Sequence, residues 1–240
     1  MTEIVLAPLD RSAWLGILWP AYNRGALWLL NSPEGLHGLR GEQRRACHQP
    51  ALHWTWEASV LHASMPPEAR DPQADIALEF RPDDLGAALI LRVKNVQGSP
   101  YSESALFSAC LRHASAWRFS DPTGERTLVR SGGAWVSLLE LFGDEAITRA
   151  RNMPIGAADG AVADEGIIAR LNEDRSRVVA CSWDRTGKLA SNLGPQISCI
   201  HADPALGALA PGESVERRGR LWFGAWSLDE LAALHAGAFA

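Results

Sequence analysis

The chain has 240 residues, of which 47% are hydrophobic and 21% are charged, and its formal net charge is −5 at neutral pH. A chain of this length and composition can bury a sizeable core and is typical of an ordinary globular protein. Its acidic balance gives no reason to expect a nucleic-acid partner. The first residues include the acids Glu3 and Asp10, and no apolar run approaches the roughly 20 residues of a membrane helix. We therefore predict a cytoplasmic protein with neither a nucleic-acid nor a membrane partner.

Short segments of alternating apolar and polar residues recur along most of the chain. Residues 1–50 are the least regular part, with two possible short strands at 15–19 and 26–30 and a loop at 31–35. The clearest strand segments are 52–62, 75–81, 87–95, 104–113, 117–120, 126–130, 166–172, 177–184, 197–202 and 214–223. Turn residues separate them, including a predicted loop at 187–192. Because helices do not alternate with these strands, the sheets should be antiparallel.

The periodicity changes at the C-terminus. Ser227 is followed three residues later by Glu230, which is the pattern of a capping box, and leucines then recur at helical spacing. We predict one amphipathic helix at 227–237 that lies against the sheets. The segment 138–152 is compatible with either a short helix or a loop.

These elements predict an all-β fold, an antiparallel β-sandwich of jelly-roll-like type with one C-terminal helix. A supersandwich resembling that of galactose mutarotase is one form consistent with this pattern. Nothing in the sequence looks like a linker, so residues 1–240 should form a single sandwich domain with an irregular N-terminal segment, 1–50.

Several segments resemble a group of uncharacterised bacterial β-sandwich proteins. The matching pieces are IALEFRPDDLGAALILRVKN in the middle of the chain and, towards the C-terminus, GIIAR, VVACSWD, CIHADPALGALAPGESVERRGRLWF and SLDEL. The resemblance implies a sandwich fold. The related proteins lie among carbohydrate-processing neighbours, which implies a sugar-like ligand, and they bring no assigned catalytic residues.

The segment SCIHADP carries the most suggestive residues. Residues two apart on a strand share a face, so Cys199, His201 and Asp203 should point together. An imidazole beside a carboxylate can exchange protons or ligate a metal. The structural alternative is that Asp203 opens a turn with the following proline and that His201 is a buried histidine with satisfied hydrogen bonds.

A divalent metal is therefore an open prediction for the cofactor, with His201, Asp203 and His113 as its candidate ligands. The four cysteines show no CxxC spacing and are interpreted as buried, reduced thiols. There is also no GxGxxG, P-loop, GxSxG or HExxH motif, which disfavours nucleotide cofactors and serine-hydrolase chemistry.

A second group of candidates lies on the predicted strand 52–62. His53, Glu57 and His62 would belong to its polar side or its end, while Trp54 and Trp56 would face the core. Glu57 could act as a general acid or base. The alternative is that this side is simply exposed to solvent.

Two further candidates lie elsewhere in the chain. Asp184, at the end of another strand, could pair with Glu57 for glycoside chemistry if the two carboxylates lie at a suitable separation. Trp117, with His53 and His113, is a candidate for contacting the substrate.

We predict an enzyme that acts on a sugar-like small molecule with His201, Glu57, His62 and Asp184 as acid–base groups, by elimination, isomerisation or hydrolysis. The alternative is a non-catalytic module that binds a carbohydrate or a protein through an aromatic sheet face. A homo-oligomer also remains open because edge strands need to be covered.

Overall fold

The computed structural model describes residues 4–23, 25–39, 49–66, 73–155, 162–194 and 198–240. Within these ranges the strands are β1 (Val5–Pro8), β2 (Trp14–Leu18), β3 (Leu27–His37), β4 (His53–Glu57), β5 (Val60–Ser64), β6 (Ala74–Asp83), β7 (Gly86–Asn95), β8 (Leu106–Arg112), β9 (Thr127–Ser131), β10 (Ala134–Ser137), β11 (Met153–Pro154), β12 (Ile167–Leu171), β13 (Val178–Trp183), β14 (Thr186–Leu193), β15 (Ser198–Pro204) and β16 (Ser214–Gly224). The α-helices are α1 (Leu138–Phe142), α2 (Ala146–Arg149) and α3 (Leu228–Ala238).

The strands form two sheets. The seven-stranded sheet has the order β1-β2-β3-β8-β15-β14-β11, and the nine-stranded sheet has the order β10-β9-β12-β13-β16-β7-β6-β5-β4. Every ladder between these strands is antiparallel. The predicted all-β antiparallel fold is therefore confirmed.

The two sheets pack face to face through large side chains. Trp28 on β3 meets Phe223 on β16 edge to face, with ring centroids 5.3 Å apart, and Phe107 on β8 meets Trp183 on β13 at 6.4 Å. Trp28, Phe107 and Phe223 are fully buried. Such aromatic pairs contribute beyond the area they bury, so the interior between the sheets uses several of the tryptophans for packing.

A second apolar layer lies on the other side of the nine-stranded sheet, beneath α3. Ile167, Ala169 and Val178 pack there with Trp222 and the helix residue Leu231. The predicted capping box is present: Ser227 Oγ accepts from the Glu230 amide at 3.2 Å, and Glu230 accepts from the Ser227 amide at 2.8 Å. Burial on both faces explains why β12 and β13 are almost continuously apolar in sequence.

The helices are all short. The C-terminal helix matches its prediction, and α1 and α2 occupy part of the segment 138–152, for which the sequence is compatible with a short helix or a loop. In the described part of the chain, no helix has the length and apolar character needed to cross a membrane.

Several local predictions are wrong. The N-terminal segment is more regular than expected: the two short strands predicted at 15–19 and 26–30 are present as β2 and β3, β1 precedes them, and β3 continues through the predicted loop at 31–35, although 40–48 lies outside the described residues. The segment 52–62 is not one strand but the hairpin of β4 and β5, which turns at Ala58 with a positive φ of 53°. The segment at Trp117, expected to be a strand, is a 3-10 helix, Trp117–Phe119.

One charged side chain crosses the interior between the sheets. Arg170 on β12 is fully buried and donates to Thr127 Oγ1 at 2.8 Å and to Ser191 Oγ at 2.7 Å. It also donates to Ser198 Oγ and to the carbonyl of Cys199. Thus a side chain of the nine-stranded sheet binds β14 and β15 of the opposite sheet.

The charge of Arg170 has a buried counterpart. Asp121 is almost fully buried and accepts from Thr127 Oγ1 at 2.6 Å, so one hydroxyl links the carboxylate to the guanidinium. Burial lowers the pKa of Arg170 to about 10, although Asp121 acts in the opposite direction. The guanidinium therefore remains charged at neutral pH.

We expect Arg170→Met to lower the free energy of unfolding by about 3–5 kcal/mol, because its hydroxyl partners and Asp121 would stay buried without it. The measurement is urea unfolding followed by tryptophan fluorescence. The control is Arg218→Met, which removes an exposed arginine 3.7 Å from Asp184 and should cost less than about 1 kcal/mol. A loss below about 1 kcal/mol for Arg170→Met would show that the network is not structurally important.

Candidate functional site

The candidate site lies on the outer face of the seven-stranded sheet, the side turned away from the nine-stranded sheet. Along β15, Ile200 and Ala202 belong to the core between the sheets, so the alternating residues Cys199, His201 and Asp203 point outwards. The prediction that these three side chains share a face is thereby confirmed. Asp203 does not open a turn, since β15 continues to Pro204.

The neighbouring strands add polar groups to the same face. On β14, Lys188 lies opposite Asp203 and Asn192 lies opposite Cys199. These groups and others surround a cavity of about 170 Å³, which is lined by Glu34, His37, Ser108, Arg151, Lys188, Ala190, Ser191, Asn192, His201 and Asp203. The lining is mostly polar and contains charges of both signs.

His201 lies at the centre of the site between two kinds of partner. Its Nδ1 atom is 3.7 Å from Glu34 Oε2 and 3.9 Å from Asp203 Oδ1. Its Nε2 atom is 3.2 Å from Cys199 Sγ. The ring is almost fully buried, so these contacts are formed away from bulk water.

The carboxylate of Asp203 can accept further hydrogen bonds. Its Oδ2 atom is 3.1 Å from Lys188 Nζ, a distance typical of an ion pair, and the carboxylate is fully buried. This contact lacks the geometry of a hydrogen bond, and neither carboxylate oxygen accepts one from the described residues. A ligand carrying hydroxyl groups could supply the missing donors.

Two thiols lie beside the imidazole. The Sγ atoms of Cys110 and Cys199 and a ring nitrogen of His201 all lie within 4.8 Å of one another. Asn192 donates a hydrogen bond to Cys199 Sγ at 3.2 Å. Cys110, Cys181 and Cys199 are buried and free, as predicted, while the fourth cysteine, Cys47, lies outside the described residues.

The electrostatics of this cluster favour an ion pair. The hydrogen bond from Cys110 is the main cause that lowers the pKa of Cys199, and His201 acts in the same direction against the effect of burial. Burial alone would lower the pKa of His201, but Cys199, Asp203 and Glu34 together raise it above its ordinary value. The hydrogen bond to Cys199 and burial raise the pKa of Cys110.

Glu34 reaches the site because β3 is irregular. The register of β3 against β8 shifts between Asn31 and Gly35, and Pro33 lies within this irregular stretch. Such an irregularity redirects the side chains of a strand. Proline is tolerated there because an unpaired position needs no amide donor. The sequence suggests only a loop at this point.

Lys188 is not among the predicted site residues, because Gly187 led to the prediction of a loop at 187–192. The structure has β14 there instead. A Cβ atom at Gly187 would lie 2.5 Å from Leu106 Cδ2 and 3.2 Å from Ala205 Cβ, so the glycine here serves close packing.

The candidates on β4 and β5 lie in the other sheet. Glu57 Oε2 is 3.7 Å from His62 Nε2, but the Glu57 side chain is 77% exposed. His53 and Trp56 are also exposed, and Trp54 is half-buried, with its Nε1 donating to the carbonyl of Ser12 at 2.8 Å. The structure therefore brings Glu57 and His62 together, away from His201, and does not bury Trp56 as expected.

The three remaining candidates are dispersed. Asp184 lines a different cavity with His235, near the end of β13. Trp117 is 65% exposed. His113 faces the interior, where its ring stacks on Phe119 at 5.9 Å. Of the predicted site residues, the outer-face cavity thus contains His201 and Asp203.

No protein-family model matches the sequence, and no curated protein matches it. Solved structures do match. A putative aldose 1-epimerase from Escherichia coli K12 aligns with a TM-score of 0.51 at 9% identity, covering 93% of this chain and 100% of that chain. The Slr1438 protein from Synechocystis sp. PCC 6803 gives a TM-score of 0.51 at 9% identity, covering 94% of this chain and 97% of that chain.

Part of a larger protein also matches. The alpha-N-acetylgalactosaminidase NagBb from Bifidobacterium bifidum aligns with a TM-score of 0.54 at 11% identity, covering 98% of this chain and 37% of that chain. Likenesses at such identities establish the fold and transfer no site residue. The fold is an antiparallel β-sandwich like those of these solved structures, in agreement with the sequence prediction.

The buried His113 leads to a prediction about pH. Neither of its ring nitrogens has a hydrogen-bond partner among the described residues, and burial, with the nearby charge of Arg170, lowers its pKa well below the ordinary value. The unfolded chain therefore binds this proton first as the pH falls below about 6.5. The resulting loss of stability is up to about 1.4 kcal/mol per pH unit.

We expect His113→Leu to reduce the loss of unfolding free energy between pH 7 and pH 5 by an amount of this size. Urea titrations at pH 7, 6 and 5 provide the measurement. His53→Gln, at an exposed position, is the control and should behave like the parent chain. An unchanged pH dependence in His113→Leu would mean that His113 is not a buried neutral histidine.

Proposed function

We propose that this chain is an enzyme that binds a small, sugar-like molecule in the outer-face cavity and moves a proton on it. The observation that carries the proposal is the convergence of His201, two carboxylates and Lys188 in one buried, polar cavity. Burial of several charged groups has a free-energy cost, and such clusters are concentrated at functional sites.

The chemistry of the cavity favours a small polyhydroxylated ligand. Its volume of about 170 Å³ is below the roughly 300 Å³ at which sites for drug-sized ligands begin. Arg151, Lys188 and Asn192 offer donors, while Glu34 and Asp203 offer acceptors. A ring that carries several hydroxyl groups could use both kinds of partner at once.

The likeness to solved structures agrees with this ligand class. The putative aldose 1-epimerase and the alpha-N-acetylgalactosaminidase are both named for reactions on sugars, and another match with a TM-score of 0.52 is named a polysaccharide lyase. These names describe the other proteins. For this chain they support a carbohydrate-related ligand without specifying the reaction.

We assign the proton transfer to Glu34, with His201 as its partner. Both Glu34 and Asp203 lie within 4 Å of the same imidazole nitrogen, Nδ1. This arrangement suits a carboxylate that accepts a proton beside an imidazole that compensates the charge. Isomerisation and elimination both require such a proton transfer, so the reaction that we propose is one of these two.

A second candidate function is non-catalytic sugar binding at an aromatic surface. The exposed indole of Trp117, with the guanidinium of Arg118 5.2 Å from the ring centroid, supports this alternative. An isolated exposed tryptophan offers one stacking surface, whereas the outer-face cavity offers several polar partners.

We expect Glu34→Gln to lower kcat at least about 100-fold, because the amide cannot accept the proton. Turnover is followed by proton NMR on a panel of aldoses and uronic acids, which resolves anomers, epimers and elimination products. The matched control is Glu57→Gln, which changes an exposed carboxylate on β4 and should keep full activity.

Three results would contradict the assignment. Full activity in Glu34→Gln would remove Glu34 from the reaction, and loss of activity in Glu57→Gln would move the site to the β4–β5 hairpin. Sugar binding by the parent chain without turnover, abolished by Trp117→Ala, would establish the non-catalytic function instead.

A further inference from the structure

We propose that Cys110, Cys199 and His201 bind a thiophilic divalent metal ion, with Zn²⁺ as the preferred ion. The two Sγ atoms and a ring nitrogen of His201 lie within 4.8 Å of one another on the outer face of the seven-stranded sheet. The metal site stands independently of the proposed reaction, since it rests on different atoms from the ones that face the cavity.

The separations suit a single ion. Tetrahedral zinc with bonds of roughly 2.0–2.3 Å to nitrogen and sulfur places its ligand atoms about 3.3–3.8 Å apart. Cys199 Sγ and His201 Nε2 are already 3.2 Å apart, and Cys110 Sγ lies within 4.8 Å of both ligand atoms. Changes of up to about 1 Å in these separations are enough to bring all three atoms into bonding distance.

The strand pairing holds these ligands on rigid structure. In the ladder between β8 and β15, Cys199 lies opposite Arg112 and Ile200 lies opposite Leu111, which brings His201 next to Cys110. Both strands lie inside the sheet, between β3 and β14. A site on paired central strands is pre-formed, so little ordering is needed when an ion binds.

The second nitrogen of His201 provides independent support. A histidine that binds a metal through one ring nitrogen usually donates its other N–H to a carboxylate, which fixes the ring. Here Nε2 faces the thiols, and Nδ1 faces Glu34 at 3.7 Å and Asp203 at 3.9 Å. Lys188 in turn holds Asp203, with Nζ and Oδ2 3.1 Å apart.

The fourth position also has a candidate ligand. Asn31 on β3 lies directly opposite Cys110, is almost fully buried, and its Oδ1 atom accepts no hydrogen bond from the described residues. That oxygen, or a hydroxyl group of a ligand in the cavity, would complete a four-coordinate site. Two thiolates and an imidazole favour Zn²⁺ over the oxygen-seeking ions Mg²⁺ and Ca²⁺.

Metal binding would change the role of His201 and leave the role of Glu34 unchanged. With Nε2 bound to the ion, the imidazole keeps its Nδ1 proton directed towards the carboxylates. Glu34 remains the group that exchanges a proton with the ligand. The sequence prediction of a divalent metal included His201, and it named Asp203 and His113 in place of the two thiols.

The test is metal binding by the reduced, chelator-treated full chain. Zn²⁺ affinity is measured by calorimetry, and Co²⁺ is used as a spectroscopic probe of thiolate ligation. We expect one ion per chain, a sulfur-to-cobalt charge-transfer band, and at least about 100-fold weaker binding in Cys110→Ser, Cys199→Ser and His201→Gln. Cys181→Ser, a buried cysteine of the nine-stranded sheet, is the control and should bind like the parent chain.

A second measurement covers the case in which a variant does not fold. X-ray absorption at the zinc edge of the loaded parent chain should show two sulfur ligands and at least one imidazole. Binding that persists in the three variants, coordination by oxygen and nitrogen alone, or no stoichiometric binding would overturn the metal site. None of these results depends on the Glu34→Gln assay, so the two proposals can fail separately.

Discussion

The candidate site depends on a guanidinium buried between the two sheets. Arg170 extends from the nine-stranded sheet and donates to Ser191 on β14, and to Ser198 and the carbonyl of Cys199 on β15. A buried cation must be hydrogen-bonded on all sides, so its partners are held in fixed positions. Those partners belong to the two strands whose opposite faces carry Lys188 and His201. The interior network thereby positions the outer face.

Side chains alternate along a strand, so one face of the sheet packs in the core and the other face carries the candidate site. On β15 the inward residues Ile200 and Ala202 join the core, while the outward residues Cys199, His201 and Asp203 meet the groups on β14 and β8. Because the site is spread over adjacent strands of one sheet, its groups come from distant parts of the sequence. The thiols contact one side of the imidazole and the carboxylates contact the other, so one ring joins a candidate metal site to a candidate ligand cavity.

Much of the fold was predictable from local patterns, and part of the site was as well. The capping box at Ser227 and the i, i+2 relation of His201 and Asp203 are visible within a few residues of sequence. Glu34 and Cys110 were missed because they meet His201 through strand pairing, which a single sequence does not show. The loop predicted at 187–192 is wrong for a different reason: Gly187 serves close packing within β14 and does not form a turn. The single strand predicted at 52–62 is wrong because the β4–β5 hairpin turns at Ala58. Alanine gives no sequence signal for the positive φ that it adopts there.

The central claim, that function lies on the outer face of the seven-stranded sheet, can be tested directly by NMR of the seven histidine side chains. Long-range proton–nitrogen spectra are recorded while the chain is titrated with aldoses. The account predicts that the imidazole signals of His201 and His37, which line the cavity, shift with the ligand, while those of His53 and His62 stay in place. Shifts confined to His53 and His62, or no shift at any histidine, would contradict it.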